Sequence, residues 1–222
     1  MRQFDFKYFT EQEFNDRFSN VSNDCFFSVF HLNIRSLNSN VRNLCQFLQL
    51  VRLQFDVIVL SEICAYNIAF YSNILPGYQM FYRLPLNSKI GGVGMFIKNC
   101  YDVQEVPQFN IVSTDTNRVE NMWLEITDIN KNSKIIIGAI YRHPIQNFIE
   151  FKDKLENSLD KISSQSLPCI IAGDMNIDLI KSTGHSCTSQ YVENLLINNF
   201  MPTILMPTRI TKVSATLIDH IY

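Results

Sequence analysis

The sequence has few of the features that mark several broad protein classes. No run approaches the roughly 20 apolar residues of a membrane span, so no membrane partner is predicted. Nineteen Lys and Arg residues against 21 Asp and Glu residues give a net charge of −2. No general basic surplus therefore attracts nucleic acid or an anionic membrane, and any DNA binding must come from local patches.

Cysteine and glycine motifs are equally scarce. The six cysteines lie far apart without a CxxC pair, which excludes the usual zinc and thioredoxin-like spacings. We expect free structural thiols and an intracellular location, since the N-terminus also lacks an apolar signal segment. The glycine-rich stretch Gly91-Gly92-Val93-Gly94 lacks the Lys and Ser/Thr of a phosphate-binding P-loop.

The chain instead alternates strand and helix patterns over a length typical of one domain. We predict an N-terminal extension over residues 1–25 and one domain over 26–222. Apolar residues recur at helical spacing after Val41, after Phe148 and around Gln190–Asn199. Strands are predicted at Ser28–Ile34, Asp56–Glu62, Tyr78–Arg83, Val93–Lys98, Met122–Thr127, Lys134–Arg142 and Cys169–Ala172, with a β-like segment over Pro207–Tyr222. This pattern predicts an α/β sandwich of two packed mixed sheets with outer helices.

Several predicted strands end in polar residues of one chemical kind: Asn33, Glu62, Tyr141, Asp174, Asn176 and Asp219. Any one of them alone is usually a turn former or a helix cap. Together they predict a shared rim, where α/β proteins usually bind ligands. Carboxylate and amide oxygens without Cys suit Mg²⁺, with Mn²⁺ as an alternative. Gly173 is expected to let a phosphate approach the backbone closely.

The ordered series HLNIRSL, VIVLSE, GGVGMFIKN, MWLEI, IIGAIYRHP, IIAGDMNIDLI and PTRITKVSATLIDHI resembles the endonuclease domain of non-LTR (LINE-type) retrotransposons. That domain is a branch of the endonuclease/exonuclease/phosphatase superfamily, akin to apurinic endonucleases and DNase I. The resemblance runs from about Ser28 to the last residue. It implies a four-layer α/β sandwich, DNA-nicking activity, DNA as substrate, a reverse transcriptase domain as partner and a nuclear location.

The resemblance also implies residue roles. Glu62 would hold Mg²⁺ with Asn33 beside it, and Asp174 would orient or activate the attacking water. Asn176 would bind the scissile phosphate and Tyr141 would donate a hydrogen bond to it. Asp219 would orient a catalytic histidine. DNA phosphates are expected to contact Arg35, Arg142, Thr208 and Arg209, although Arg35 and Arg142 could equally be solvated or paired.

The sequence departs from the family pattern at its end, because the family's final Ser-Asp-His does not follow Asp219. We therefore expect a truncated, C-terminally incomplete copy with weakened activity. His220 should face away from the site, since successive strand residues face opposite sides. His31 shares the face of Asn33, but a histidine in an apolar strand is more often a core residue.

Two alternatives to the endonuclease stay open at this point. The first is a phosphatase of the same fold that acts on a small phosphoester, which the lack of a basic surplus mildly favours. The second is a non-catalytic remnant that binds metal or DNA weakly.

Overall fold

The computed structural model describes residues 7–21, 26–65, 67–85, 90–112 and 119–222. Its α-helices are α1 (Glu11–Phe18), α2 (Leu37–Leu50), α3 (Phe148–Ser163) and α4 (Ser186–Ile197). Its strands are β1 (Val29–Asn33), β2 (Val57–Ser61), β3 (Tyr78–Arg83), β4 (Val93–Lys98), β5 (Asp102–Glu105), β6 (Val119–Asp128), β7 (Ser133–Arg142), β8 (Cys169–Asp174), β9 (Arg209–Ile210), β10 (Ala215–Thr216) and β11 (Asp219–Ile221).

The strands form two main sheets. The N-terminal sheet has the order β1-β2-β4-β3, and the C-terminal sheet has the order β11-β8-β7-β6-β5. The pairs β1–β2 and β7–β8 are parallel, while their neighbours are antiparallel, so both sheets are mixed as predicted. Strands β9 and β10 form a separate hairpin.

Three hydrophobic cores show that the sandwich has four layers. Strand β2 explains the arrangement, because it is buried on both faces. Val57 and Val59 belong to the core between the two sheets, whereas Ile58 and Leu60 face a second core that includes Leu44 of α2. A third core joins α3 and α4 to the outer face of the C-terminal sheet. The predicted fold class is confirmed.

Helix α3 shows how the sequence places a helix on the outside of a sheet. The predicted stripe of Phe151, Leu155, Leu159 and Ile162 is buried, as expected for residues at helical spacing. The Asn147 side chain accepts a hydrogen bond from the Glu150 N–H and so caps the first turn. The bounds of the predicted strands and helices are confirmed to within a few residues.

Two elements were not predicted from the sequence. Strand β5 is short and exposed, so it lacks an apolar signal. Helix α1 begins with a capping box of Thr10 and Glu13, and its Phe14 packs against the core beneath α2. The predicted boundary at residue 25 falls among residues 22–25, which lie outside the described residues. In the described parts of the chain, no helix is both long and apolar enough to cross a membrane.

Candidate active site

The predicted strand-end residues meet at one edge of the sandwich. Asn33 ends β1 and is in register with Ser61 at the end of β2. Asp174 ends β8, with Tyr141 of β7 on one side and Asp219 of β11 on the other. The two sheets are brought together here, because the side chains of Asn33 and Asp174 are in contact although they lie 141 residues apart. The predicted convergence is confirmed.

Asn33 bridges two carboxylates across the sandwich. Its Nδ2 atom donates to Glu62 Oε1 at 2.9 Å and to Asp174 Oδ2 at 2.8 Å. Its Oδ1 atom accepts a hydrogen bond from the Arg35 N–H at 3.1 Å. The amide is therefore engaged within the protein on both sides. This geometry makes Asn33 an organiser of the carboxylates, and its expected place beside a metal at Glu62 stays a prediction.

Left-handed backbone is concentrated at this edge. Such conformations are costly for residues other than glycine and persist where the surrounding structure enforces them. At the end of β2, φ of +53° at Glu62 breaks the strand alternation and turns its carboxylate towards Asn33. Further non-glycine residues with positive φ near the site are Arg35, Ser36, Cys64 and Asn176.

A buried network supports Asp174 from below. The Ser61 hydroxyl accepts a hydrogen bond from the Asp174 N–H at 3.2 Å and is 3.0 Å from His31 Nε2. His31 Nδ1 lies 3.8 Å from Asp219 Oδ1. Burial lowers the pKa of His31 to about 4, so the ring is neutral near pH 7. These contacts agree with the core role expected for His31.

Asp174 is a buried carboxyl. Among the described residues, no Lys or Arg side chain forms an ion pair with it. Burial, the largest cause, and the charges of Asp219 and Glu62 together raise its pKa to about 7. Hydrogen bonds from the Asn176 N–H and from Asn33 act in the opposite direction. A carboxyl with a pKa near neutrality can exchange a proton at the operating pH, which suits a general base.

Tyr141 is a hydrogen-bond donor directed at the same group of carboxylates. Its pKa is raised by burial and by the charges of Glu62 and Asp174. The hydroxyl therefore stays protonated at neutral pH. The His143 ring packs edge-on against it, with the ring centroids 4.7 Å apart.

Asp219 faces the cleft from the last strand. The Thr208 hydroxyl oxygen accepts from the backbone N–H groups of Ile218 and Asp219, at 3.3 and 3.1 Å. Burial raises the pKa of Asp219, although Thr208, His220 and the two cleft arginines oppose the shift. Within the described residues its buried Oδ1 has no hydrogen-bond partner.

The predicted DNA-contact residues divide into two groups. Arg35, Thr208 and Arg209 are exposed and line a cleft of about 550 Å³ together with the strand-end residues. Arg142 is only 4% exposed, and its guanidinium donates to backbone carbonyls of Met175, Asn176 and Gln146. The prediction that Arg142 contacts DNA phosphate is therefore wrong, because its donors point into the protein.

His220 and Gly173 have structural positions. His220 is buried on the opposite side of β11 from the cleft, where it bonds the Ile177 carbonyl and the Tyr222 hydroxyl, as alternation predicted. A Cβ at Gly173 would lie 1.8 Å from the Ile140 carbonyl oxygen. A glycine is therefore required here because β7 approaches closely. The expected space for a phosphate does not explain it.

Comparison with known proteins agrees with this arrangement. The family model described as the endonuclease/exonuclease/phosphatase family matches residues 30–222. The chain belongs to the endonuclease/exonuclease/phosphatase family. It therefore has a phosphodiesterase or phosphatase fold and is a member of a family of hydrolytic enzymes. No curated protein sequence matches it at a significant level.

Solved structures with the same fold include several kinds of family member. The endonuclease domain of TRAS1, a telomere-specific non-LTR retrotransposon, has a TM-score of 0.62 at 12% identity, covering 88% of this chain and 83% of that one. A mannosyl-6-phosphatase from Bacteroides thetaiotaomicron has a TM-score of 0.64 at 15% identity, with coverages of 88% and 84%. The AP endonuclease LMAP from Leishmania major has a TM-score of 0.61 at 14% identity, with coverages of 91% and 81%.

The donor set fits a hard divalent cation of the kind that this family generally uses. Glu62, Asp174 and Asp219 bring negative charge to one cleft, and Asp219 presents a buried oxygen that accepts no hydrogen bond from the described residues. Among the described residues, no three His, Cys, Asp or Glu side chains can enclose a metal together. Mg²⁺ needs no such cage, because it keeps several waters and is held by one or two carboxylates with substrate phosphate.

The pair of Glu120 and His143 next to the site was not predicted, because neither residue belongs to the strand-end pattern. Glu120 lies inside β6 opposite Tyr141, is buried, and accepts a hydrogen bond from the Gly92 N–H at 3.2 Å. His143 Nε2 lies 3.3 Å from its carboxylate. The pair links the glycine turn before β4 to the segment after β7. An acid within an apolar strand was the sequence feature that could have revealed it.

Proposed function

We propose that the chain is a Mg²⁺-dependent DNA-nicking endonuclease of the non-LTR retrotransposon type. The observation that carries the proposal is the bridge from Asn33 to Glu62 and Asp174 at the floor of a cleft with exposed arginines. In the full protein a reverse transcriptase domain is the proposed partner, with the nucleus as the place of action.

Each residue of the site has a proposed role in phosphodiester hydrolysis. Asp174 would orient the attacking water and accept its proton, since its pKa is close to neutrality. Tyr141 and Asn176 would donate hydrogen bonds to phosphate oxygens, and Arg35 and Arg209 would contact the flanking phosphates. Glu62 would hold the cation, which when bound supplies charge neutralisation at the phosphate and the leaving oxygen.

The exposed arginines Arg35 and Arg209 at the cleft favour a polymer over a small substrate. Arg209 stands at the start of the exposed β9–β10 hairpin, where Lys212 and Val213 are also exposed. A long substrate that continues past the scissile bond would have such exposed side chains to contact. A small phosphoester would make no use of them.

A phosphatase acting on a small phosphoester is the second candidate. The mannosyl-6-phosphatase with the same fold and the balanced net charge of this chain favour it. The two candidates predict opposite substrate preferences with the same carboxylates.

Supercoiled plasmid and mannose 6-phosphate, each assayed with Mg²⁺ and with chelator, separate the candidates. The proposal predicts Mg²⁺-dependent conversion of plasmid to open circles, lost in Glu62→Gln and retained in Glu156→Gln on α3. Turnover of the sugar phosphate without nicking would support the phosphatase. A folded chain that hydrolyses neither substrate would contradict both.

A further inference from the structure

We propose that Arg142 is a positioning residue that holds the turn Asp174–Asn176 in its reactive shape, an inference that rests on the proposed function. Arg142 ends β7 directly after Tyr141, at the edge where the strands meet. Its side chain reaches neither the cleft nor the solvent, since it is only 4% exposed. Its hydrogen bonds go to backbone carbonyls on two segments of the site.

The guanidinium holds the turn after β8 to the segment after β7. Nη1 donates to the carbonyls of Met175 and Asn176, each at 3.2 Å. Nη2 donates to the Gln146 carbonyl at 2.7 Å. The planar fork of an arginine can serve these three oxygens together, whereas a lysine ammonium is a single point of donation.

These contacts fix the direction of the Asn176 backbone. With the carbonyls of Met175 and Asn176 held towards the guanidinium, the Asn176 N–H points to Asp174 Oδ1 at 3.0 Å. Asn176 has the left-handed φ of +48°, which needs such support. Its Nδ2 atom donates back to the Arg142 carbonyl at 2.8 Å, so each residue holds the other.

The surroundings of the guanidinium agree with a fixed position. It lies over the rings of Phe148 and Phe151, with distances of 5.8 and 5.6 Å to the ring centroids. No carboxylate forms an ion pair with it in the described part of the chain, so its charge is not used in a salt bridge there. Its hydrogen bonds to the site turn are the contacts that account for its burial.

The test compares Arg142→Lys and Arg142→Ala with the matched control Arg52→Lys, which changes an exposed arginine after α2. We expect kcat for plasmid nicking to fall about 100-fold in both Arg142 variants, while KM and the salt dependence stay close to those of the wild type. Millimolar guanidinium ion should restore part of the kcat of Arg142→Ala, and ammonium ion should not. A merely structural role would not produce that rescue.

A second measurement needs no turnover. Hydrogen exchange of the Asn176 amide, followed by NMR, should be about tenfold faster in Arg142→Lys than in the wild type or in Arg52→Lys. If wild-type chain fails to cleave DNA, the proposed function fails, and this exchange rate alone decides on Arg142.

Three results would overturn the inference. Unchanged kcat in folded Arg142 variants together with unchanged Asn176 exchange would show that the turn does not depend on the guanidinium. A raised KM with a smaller salt dependence would make Arg142 a phosphate contact. Failure of both variants to fold would make it a residue required for folding.

Discussion

Two buried aspartates at opposite ends of the sandwich differ in the partners of their carboxylates. Asp56 stands just before β2, and Asp174 ends β8 at the cleft; they are 3% and 2% exposed. Asp56 accepts hydrogen bonds from Lys98 Nζ at 2.8 Å and from the Tyr101 hydroxyl at 3.0 Å, and two more from Ser28. Asp174 accepts from Asn33 and the Asn176 N–H, both uncharged.

The pKa values of the two aspartates shift in opposite directions for this reason. Burial raises the pKa of Asp56, but the hydrogen bonds from Lys98 and Ser28 outweigh it, and the net shift is downward. Burial, together with the negative charges of Asp219 and Glu62, raises the pKa of Asp174 to about 7. The Asp56 carboxylate is paired with Lys98 within the fold, whereas the Asp174 carboxyl has no ion pair with a Lys or Arg side chain in the described residues.

The largest predicted effect is on catalysis at Asp174. Asp174→Asn should lower the plasmid nicking rate by about 10²–10⁴-fold, because it removes a proton acceptor. The melting temperature should not fall, since the substitution removes an uncompensated buried charge. Nicking assays and thermal unfolding measure the two effects, with the exposed Asp160→Asn as control. A nicking rate of Asp174→Asn close to that of the wild type would contradict the proposed catalytic role of Asp174.

The reverse pattern is predicted at Asp56. Asp56→Asn should lower the free energy of unfolding by about 3 kcal/mol, because Lys98 is left without its partner. The nicking rate per folded molecule should be unchanged, since Asp56 lies far from the cleft. Urea denaturation gives the stability, and the double variant with Lys98→Met should recover part of the loss. A stability equal to that of the wild type would contradict the structural role.

Acid should remove the stability that depends on an uncharged His220. Burial lowers the pKa of His220 from its ordinary 6.5 to about 4. The unfolded chain therefore binds the proton first, and stability present above pH 6.5 is lost as pH falls towards 4. The loss amounts to about 3 kcal/mol at most. In urea denaturation at pH 7 and pH 5, His220→Gln should show a smaller difference than the wild type or the exposed His185→Gln.

The smallest effect concerns DNA affinity at the cleft rim. Arg209→Ala should weaken binding of duplex DNA by roughly fivefold and lower the slope of log affinity against log salt by about one. The exposed Arg52→Ala should change neither quantity. Fluorescence anisotropy over a salt series measures both. An unchanged salt slope in Arg209→Ala would remove this arginine from the proposed DNA surface.

The sequence predicted the two-sheet architecture and the convergence of strand ends because both follow from local patterns. The run of apolar residues at Val57–Ser61 indicates burial on both faces, and an acid directly after it indicates a rim. Side-chain direction could not be predicted in the same way. The sequence shows Arg142 as a cationic residue beside a predicted phosphate site. Whether its guanidinium points outwards depends on backbone carbonyls of the turn after β8 and of the segment after β7.

Other features depend on contacts between distant segments. The bridge by Asn33 joins segments 141 residues apart, and its amide orientation depends on both partners. Helix α1 was missed because its exposed residues lack an apolar stripe, and its position depends on Phe14 reaching a core built by later segments. In each case the local sequence contains only one partner of the interaction.

The most direct test of the central claim is the effect of Mg²⁺ on thermal unfolding. A cation that binds the folded cleft at ten times its dissociation constant adds about 1.4 kcal/mol of stability, which corresponds to a rise of roughly 3–5 °C in melting temperature for a chain of this size. We predict this rise in the wild type and in Asp56→Asn, and its loss in Glu62→Gln. An equal rise in melting temperature in the wild type and in Glu62→Gln, or no rise in the wild type, would contradict the claim that the strand-end carboxylates bind a cation.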